Sequence, residues 1–307
     1  LDPRFFERLA ARSARVKAQL AESLREPGAH PLVLGVFQKR NHCGGRPGLA
    51  RNLAEMVAAI ETAGRAGVQM LAMPEMALQG YFTPASGTVA EAQAVNRELA
   101  VTVGASPELA ELCAAARTAR MVVAFGFGER AGAAFYNSIG LIDADGAWLG
   151  VRRKNPLYPW DYESRVFDEP APEGRCAVFN TRYARVGLSD CFDGEFPETI
   201  RAMALAGAQV LLWCNAPCGD AVLGTTHRFN QSGAHAQTNG LYVACASCVA
   251  PDTTGMSNIF SPVSEPLVVL PPDVEALGVA TVNLAWHTDW SIWRRRLHSF
   301  FQGRAPG

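Results

Sequence analysis

The stretch Arg-Val-Gly-Leu-Ser-Asp-Cys-Phe-Asp-Gly-Glu-Phe-Pro-Glu, residues 185–198, decides the fold. Arg185 to Ser189 reads as a strand, and Pro197 to Ala206 as the helix that follows it. Gly207-Ala208 then leads into Val210 to Trp213, an apolar run short enough for a buried strand. Strand, helix and strand in succession mark an α/β protein, whose sites form at the carboxyl ends of the strands. Cys191 stands at one such end.

The same alternation extends both ways. Upstream, Pro31 to Gln38 predicts a strand, Leu49 to Ala66 a helix with Asn52 in its first turn, and Val68 to Met73 a strand that runs into Pro74-Glu75. Pro107 to Arg120 predicts a helix leading into the run Met121 to Gly128, and Asn137 to Asp143 pairs with Ala147 to Arg153 around the Asp145-Gly146 turn. Downstream come a helix over Thr225 to Thr238, a strand over Leu241 to Ala246, and short strands near Ser257 to Ser261, Leu267 to Leu270 and Gly278 to Val282. Asp2 to Glu26 has helical spacing and stops at Pro27-Gly28. No linker or fixed-period repeat divides the chain. The expected organisation is a helical extension over 1–30, one domain over 31–285, and a tail over 286–307 that serves an interface.

Composition narrows the function. Hydrophobic residues are 49% and charged residues 19% of the 307, a balance that buries a large core. With 28 Lys plus Arg against 29 Asp plus Glu, no global field draws the chain to nucleic acid or to a membrane surface. The local run Arg294 to Arg296 reads as a solvated helix end or an interface anchor. No apolar run approaches the ~20 residues of a membrane helix. The first residues lack the apolar segment of a signal peptide, although a start at Leu1 rather than Met leaves room for an upstream piece. Eight cysteines fit reduced thiols and a cytoplasmic location. Zinc binding by Cys214, Cys218, Cys245 and Cys248 is disfavoured, because strand alternation turns the last two to opposite faces.

Three reactive side chains sit where strands end: Glu75, Lys154 and Cys191. Burial of such groups is costly unless they are paired or used. Their flanks raise the specificity. Met-Pro-Glu-Met-Ala-Leu-Gln-Gly-Tyr-Phe (73–82) is similar to the glutamate segment of nitrilase-superfamily (carbon-nitrogen) hydrolases. Arg152-Arg153-Lys154 resembles their lysine motif and Ser189 to Glu198 their cysteine motif, in the same order. Gln38, Asn52, Tyr136-Asn137-Ser138, Gly207-Ala208 and Gly255-Met256-Ser257 also line up, so the resemblance spans about Leu32 to Asn283.

The resemblance implies a four-layer αββα sandwich, a homodimer or larger homo-oligomer, and a Glu75–Lys154–Cys191 triad. It further implies that Glu163 supports the triad by hydrogen bonds. A thiol of reference pKa about 8.5 needs a base or a cation to become a nucleophile. Glu75 would be the base and Lys154 the cation. The Lys154 ammonium and the Phe192 N–H would hold the oxyanion. Tyr81, Trp160 and Asn215 are the expected substrate-lining residues, and loops at Thr83 to Ala90, Leu157 to Arg165 and Cys218 to Thr226 would set selectivity. The irregular stretch Pro156 to Arg175 reads as a lid. No metal or organic cofactor is required. His227 and His235 read as structural. Where relatives read Ala-Arg-Ala-x-Glu-Asn this chain has Ala234-His235-Ala236-Gln237-Thr238-Asn239, which bears on subunit contact and not on the triad.

The expected activity is hydrolysis of a small non-peptide amide or N-carbamoyl compound. The rivals are a nitrilase and a silent binding protein on the same fold. Cys191-Phe192-Asp193 followed by Phe196-Pro197-Glu198 looks like the amidase and carbamoylase branches.

Overall fold

The computed structural model describes residues 4–80, 88–159, 163–171, 177–217, 221–249 and 253–286. The helices are α1 (Arg4–Ser23), α2 (Gly45–Arg65), α3 (Val89–Leu99), α4 (Pro107–Ala119), α5 (Glu163–Val166), α6 (Pro197–Leu205) and α7 (Ala221–Asn239). The strands of one sheet are β1 (Pro31–Gln38), β2 (Met70–Ala72), β3 (Val122–Ala131), β4 (Ala134–Ile142), β5 (Trp148–Arg153) and β12 (Ala276–Asn283). Those of the other are β6 (Val178–Asn180), β7 (Arg185–Asp190), β8 (Val210–Asn215), β9 (Tyr242–Ser247), β10 (Asn258–Phe260) and β11 (Pro266–Val269).

The sheets share one plan. The first runs β12-β1-β2-β3-β4-β5 and the second β11-β10-β9-β8-β7-β6. Each has three parallel strands at its centre, β1-β2-β3 and β7-β8-β9, with antiparallel strands outside them.

Side-chain alternation assigns the layers. Leu32, Leu34 and Val36 of β1 meet Val186 and Leu188 of β7 and Val210 and Leu212 of β8 in a core between the sheets. The opposite face of the first sheet packs Leu71 and Phe125 against Met56 and Ile60 of α2 and Leu112 of α4. That of the second packs Leu211 and Trp213 against Ile200 and Met203 of α6 and Ala236 of α7. The result is the αββα sandwich that the resemblance implies. Helix α1 lies on this body, with Val16 and Leu20 joining the inter-sheet core and the Ser23 carbonyl accepting from Asn283 Nδ2 at 3.1 Å.

The expected elements are present with shifted ends, and three were not expected: α3, the four-residue α5 inside the expected lid, and β6. Strands β7 and β8 run on into polar residues because the ladder continues through Asp190↔Cys214 and Asn215↔Ser247. Helix α2 starts four residues before the periodic apolar pattern does, at Gly45. Helix α3 lacks a strong apolar stripe and is announced by a capping box, in which Thr88 Oγ1 accepts from Glu91 N and Glu91 Oε2 from Thr88 N. Strand β6 is only three residues long, too short for periodicity to reveal.

Candidate active site

Four strand ends converge: Glu75 follows β2, Lys154 follows β5, Cys191 follows β7 and Ala216 follows β8. The approach at Glu75 is close enough to demand glycine beneath it. A Cβ at Gly126 of β3 would lie 2.3 Å from Met76 N and 2.5 Å from Glu75 Cα. The Gly126 N–H donates to Pro74 O at 2.9 Å, and Met76 adopts a left-handed φ of 50°. The chain thus turns sharply with Glu75 at its apex.

Glu75 is fully buried and held at both oxygens. Oε1 accepts from Lys154 Nζ at 2.8 Å and Asn137 Nδ2 at 2.7 Å, and Oε2 accepts from Ala216 N at 2.9 Å. Burial raises its pKa, the Lys154 ammonium opposes this, and the Glu163 charge adds to the rise.

Lys154 Nζ also lies 2.9 and 2.8 Å from the two oxygens of Glu163. Glu163 in turn accepts from Asn137 Nδ2 at 2.7 Å and Tyr158 N at 2.8 Å. Burial alone would pull the Lys154 pKa down, but the Glu163 and Glu75 carboxylates outweigh it and hold it well above the usual value. Lys154 therefore stays an ammonium with three N–H groups. One serves Glu75 and one can serve both oxygens of Glu163, which leaves one for a further acceptor.

Cys191 opens a 3-10 turn over Cys191–Glu195. Arg152 reaches across from β5 and ion-pairs with Asp193 at 2.8 Å, both side chains being almost inaccessible. Asp193 Oδ1 accepts from Asp190 N at 2.6 Å and Ser189 Oγ at 2.7 Å. Trp213 Nε1 donates to Cys191 O at 3.2 Å, and His235 Nε2 lies 2.8 Å from Gly194 O. The turn sits directly on the indole, since a Cβ at Gly194 would lie 2.4 Å from Trp213 Cε2. Burial first, and then the Glu75 charge, raise the Cys191 pKa well above the ordinary thiol value, while Lys154 and Arg228 lower it. At rest the sulfur is a thiol.

The other expected residues fall in different places. Phe192 is buried, its ring edge-on to Tyr158 at 5.1 Å and to Phe196 at 5.3 Å. Asn215 meets the site through its carbonyl, 3.4 Å from Glu75 N, and turns its Nδ2 toward Trp213 O and Cys245 Sγ, both at 3.2 Å. Tyr81 and Trp160 lie outside the described residues, as do Thr83 to Gly87 and Cys218 to Asp220 of the expected loops. Within the expected lid, Glu163 and Val166 of α5 and Phe167 are buried.

Sequence reasoning missed Arg228 and Asp190. Arg228 of α7 is buried, ion-pairs with Glu195 at 2.7 Å, and sets Nη2 3.7 Å from Cys191 Sγ. A signal was present: Arg228, Ser232 and His235 recur at helical spacing on the buried face of α7, where an apolar stripe would be expected. Asp190 is buried with neither carboxyl oxygen bonded among the described residues. Burial and the nearby Glu75 charge raise its pKa well above the usual range.

Comparisons with known proteins identify the family and the fold. The carbon-nitrogen hydrolase family model matches residues 42–291. The chain is 35% identical to citrullinase of Francisella tularensis over 168 residues, which cover 54% of this chain and 56% of that protein. It is 29% identical to N-carbamoylputrescine amidase of Solanum tuberosum, over 62% of this chain and 70% of that one. It is 28% identical to a nitrilase of Pyrococcus abyssi, over 76% and 84% respectively. Among solved structures, the amidase of Nesterenkonia AN1 superposes with a TM-score of 0.71 at 22% identity, covering 91% of this chain and 98% of that one. The chain belongs to the carbon-nitrogen hydrolase family.

Proposed function

We propose that the protein hydrolyses a small non-peptide amide or N-carbamoyl compound through a Cys191 thioester, releasing ammonia and a carboxylic acid or carbamate. The observation that carries this reading is the buried Lys154 ammonium shared between Glu75 and Glu163 beside the Cys191 turn. Cys191 gives its proton to Glu75 as the sulfur bonds the carbonyl carbon. The oxygen takes the negative charge and is met by the remaining Lys154 N–H and by Phe192 N–H. Glu75 returns the proton to the leaving nitrogen, ammonia departs, and water activated by the same carboxylate cleaves the thioester. Glu163 and Asn137 hold the lysine and the glutamate in register. A thiol that is protonated at rest supports attack coupled to a base rather than a preformed thiolate.

The same reading gives a homodimer or larger assembly in the cytoplasm, with residues 1–30 as an extension and 286–307 at an interface. Among the described residues Cys113, Cys191, Cys214 and Cys245 are in no disulfide, which supports the reducing location. An amide or carbamoyl substrate is supported by the names of the citrullinase and N-carbamoylputrescine amidase relatives, and by the Nesterenkonia amidase, whose structures include complexes with acrylamide and with butyramide.

The nitrilase relative makes the nitrile the rival substrate. Donors aimed at a developing oxyanion face nothing when a nitrile is first attacked, so they favour the amide. Matched nitrile, primary amide and N-carbamoyl compounds, assayed together for kcat/KM, test this. We expect the amide or the carbamoyl compound to lead. A nitrile ahead of its own amide by about tenfold, roughly 1.4 kcal/mol of transition-state preference, would overturn the assignment.

A further inference from the structure

Three charged groups approach Cys191 from three separate elements: Glu75 after β2, Lys154 after β5 and Arg228 on α7, with Asp190 of β7 adjacent in the chain. The two cations differ in what they do. Lys154 is engaged with Glu75 and Glu163. Arg228 alone among the described cations has a hydrogen-bond contact with the sulfur, 3.7 Å from Nη2 to Sγ.

Arg228 is fixed for this contact. Its Nη2 pairs with Glu195 at 2.7 Å, its Nη1 donates to Gln231 at 2.8 Å, and its guanidinium carbon stands 5.2 Å from the centre of the Trp213 ring. Trp213 also supports the nucleophile turn through its bond to Cys191 O, so one indole sets the height of both the cation and the thiol. Arg228 Nε is buried without a hydrogen-bond partner among the described residues. A guanidinium that is only 5% exposed and has an unused donor gains from a further anion nearby. Its one carboxylate partner, Glu195, is partly exposed, with a side-chain accessibility of 29%, so water weakens that pairing.

We propose that Arg228 is a catalytic residue whose guanidinium pairs with the Cys191 sulfur as it becomes a thiolate, and that Glu195 partly neutralises this cation while holding it in place. The inference rests on Cys191 being the nucleophile. In the acylation step the S–H proton passes to Glu75 and the sulfur's electron pair forms the bond to carbon. Arg228 keeps its protons throughout and lowers the cost of the charge that the sulfur carries on the way. When the thioester is cleaved, the departing sulfur regains that charge beside the same guanidinium before it is reprotonated. Lys154 is thereby left to serve the oxygen rather than the sulfur, which divides the two charges of the reaction between two cations.

The test reads the sulfur directly, without a substrate. Carbamidomethylation of Cys191 in the full chain by iodoacetamide is followed at the peptide level from about pH 7 to about pH 11.5, where thiolate rather than thiol reacts. Arg228→Gln is expected to move the midpoint up by about one pH unit or more, Arg228→Lys to restore part of that, and Glu195→Gln to move it down. Turnover by Arg228→Gln should fall at least about tenfold in kcat with little change in KM. An unchanged midpoint in folded Arg228→Gln would overturn the proposal. Should that variant not fold, an unchanged midpoint in Glu195→Gln would overturn it. Activity retained by Cys191→Ala would instead overturn the underlying reading of the site, whereas an inactive Cys191→Ala together with an unmoved Arg228→Gln midpoint removes only the role of Arg228.

Discussion

Under the proposed mechanism Glu75 and Lys154 each do two jobs with one side chain, so neither should tolerate replacement. Glu75 must carry a proton from sulfur to nitrogen while both its oxygens stay pinned. Lys154 must keep its charge in a buried place, and the two glutamates that raise its pKa are what let it do so. Glu75→Gln and Lys154→Ala should each lower kcat by about 100-fold or more. Losses under about tenfold for either would show that the acid, base or cation is misassigned. Asp190 is a residue whose burial costs stability. Because its folded pKa is raised above the unfolded value of about 3.9, its contribution to stability is complete below that value and is lost as pH rises through the folded one. Asp190→Asn removes this dependence. The variant's thermal midpoint should gain on the parent's as pH rises above about 3.9, and a difference that does not change with pH would refute the explanation. Glu75, Lys154 and Cys191 could be picked out in the sequence as candidates because strand ends and their flanking motifs announce them, and the structure brings Glu75 and Lys154 into contact. Arg228 carried only the weak signal of a polar stripe on α7, and Asp190 none, since each needs a neighbour from another element to give it meaning.

At the scale of elements, the end of β5 and the short helix α5 organise the site. Successive residues of β5 turn to different partners: Arg152 to Asp193 in the nucleophile turn, Arg153 to Glu129 at 2.7 Å, and Lys154, just beyond the strand, to the two glutamates. The motif Arg-Arg-Lys was readable as a landmark, but the separate work of its two arginines was not, because partners on another sheet, Asp193, or on another strand of the same sheet, Glu129, leave no spacing in one chain. Helix α5 carries Glu163 inward and makes four hydrogen-bond contacts with it, to Lys154 twice, Asn137 and Tyr158. Glu169, six residues on, is exposed. Glu163→Gln should therefore damage activity clearly while Glu169→Gln leaves it near that of the parent, as measured by kcat/KM on one amide. The reverse ranking would move the supporting role to Glu169. His235 shows how a departure from the family's pattern is used: in place of an arginine it braces Gly194, and burial keeps its imidazole neutral.

Across the whole molecule, the two sheets bring strand ends from distant parts of the sequence to one place. Glu75 and Lys154 are 79 residues apart, and Glu75 lies 141 residues from the Ala216 N–H that fixes its second oxygen. The α/β class was legible from the alternation of strands and helices and the four layers from the family resemblance, and the structure shows why they form: the strands are apolar on one face for the core between sheets and on the other for the helices. Element ends were less so, since a ladder continues through polar residues once its neighbours are in register. That Cys191 is the nucleophile is the central claim of the proposal, and it is the claim most open to a direct test. Purified Cys191→Ala, which loses a reactive group and little volume, is assayed for ammonia on an amide that the parent turns over. The account predicts a folded protein with no product above the background of an empty preparation, and measurable turnover by that variant would contradict it.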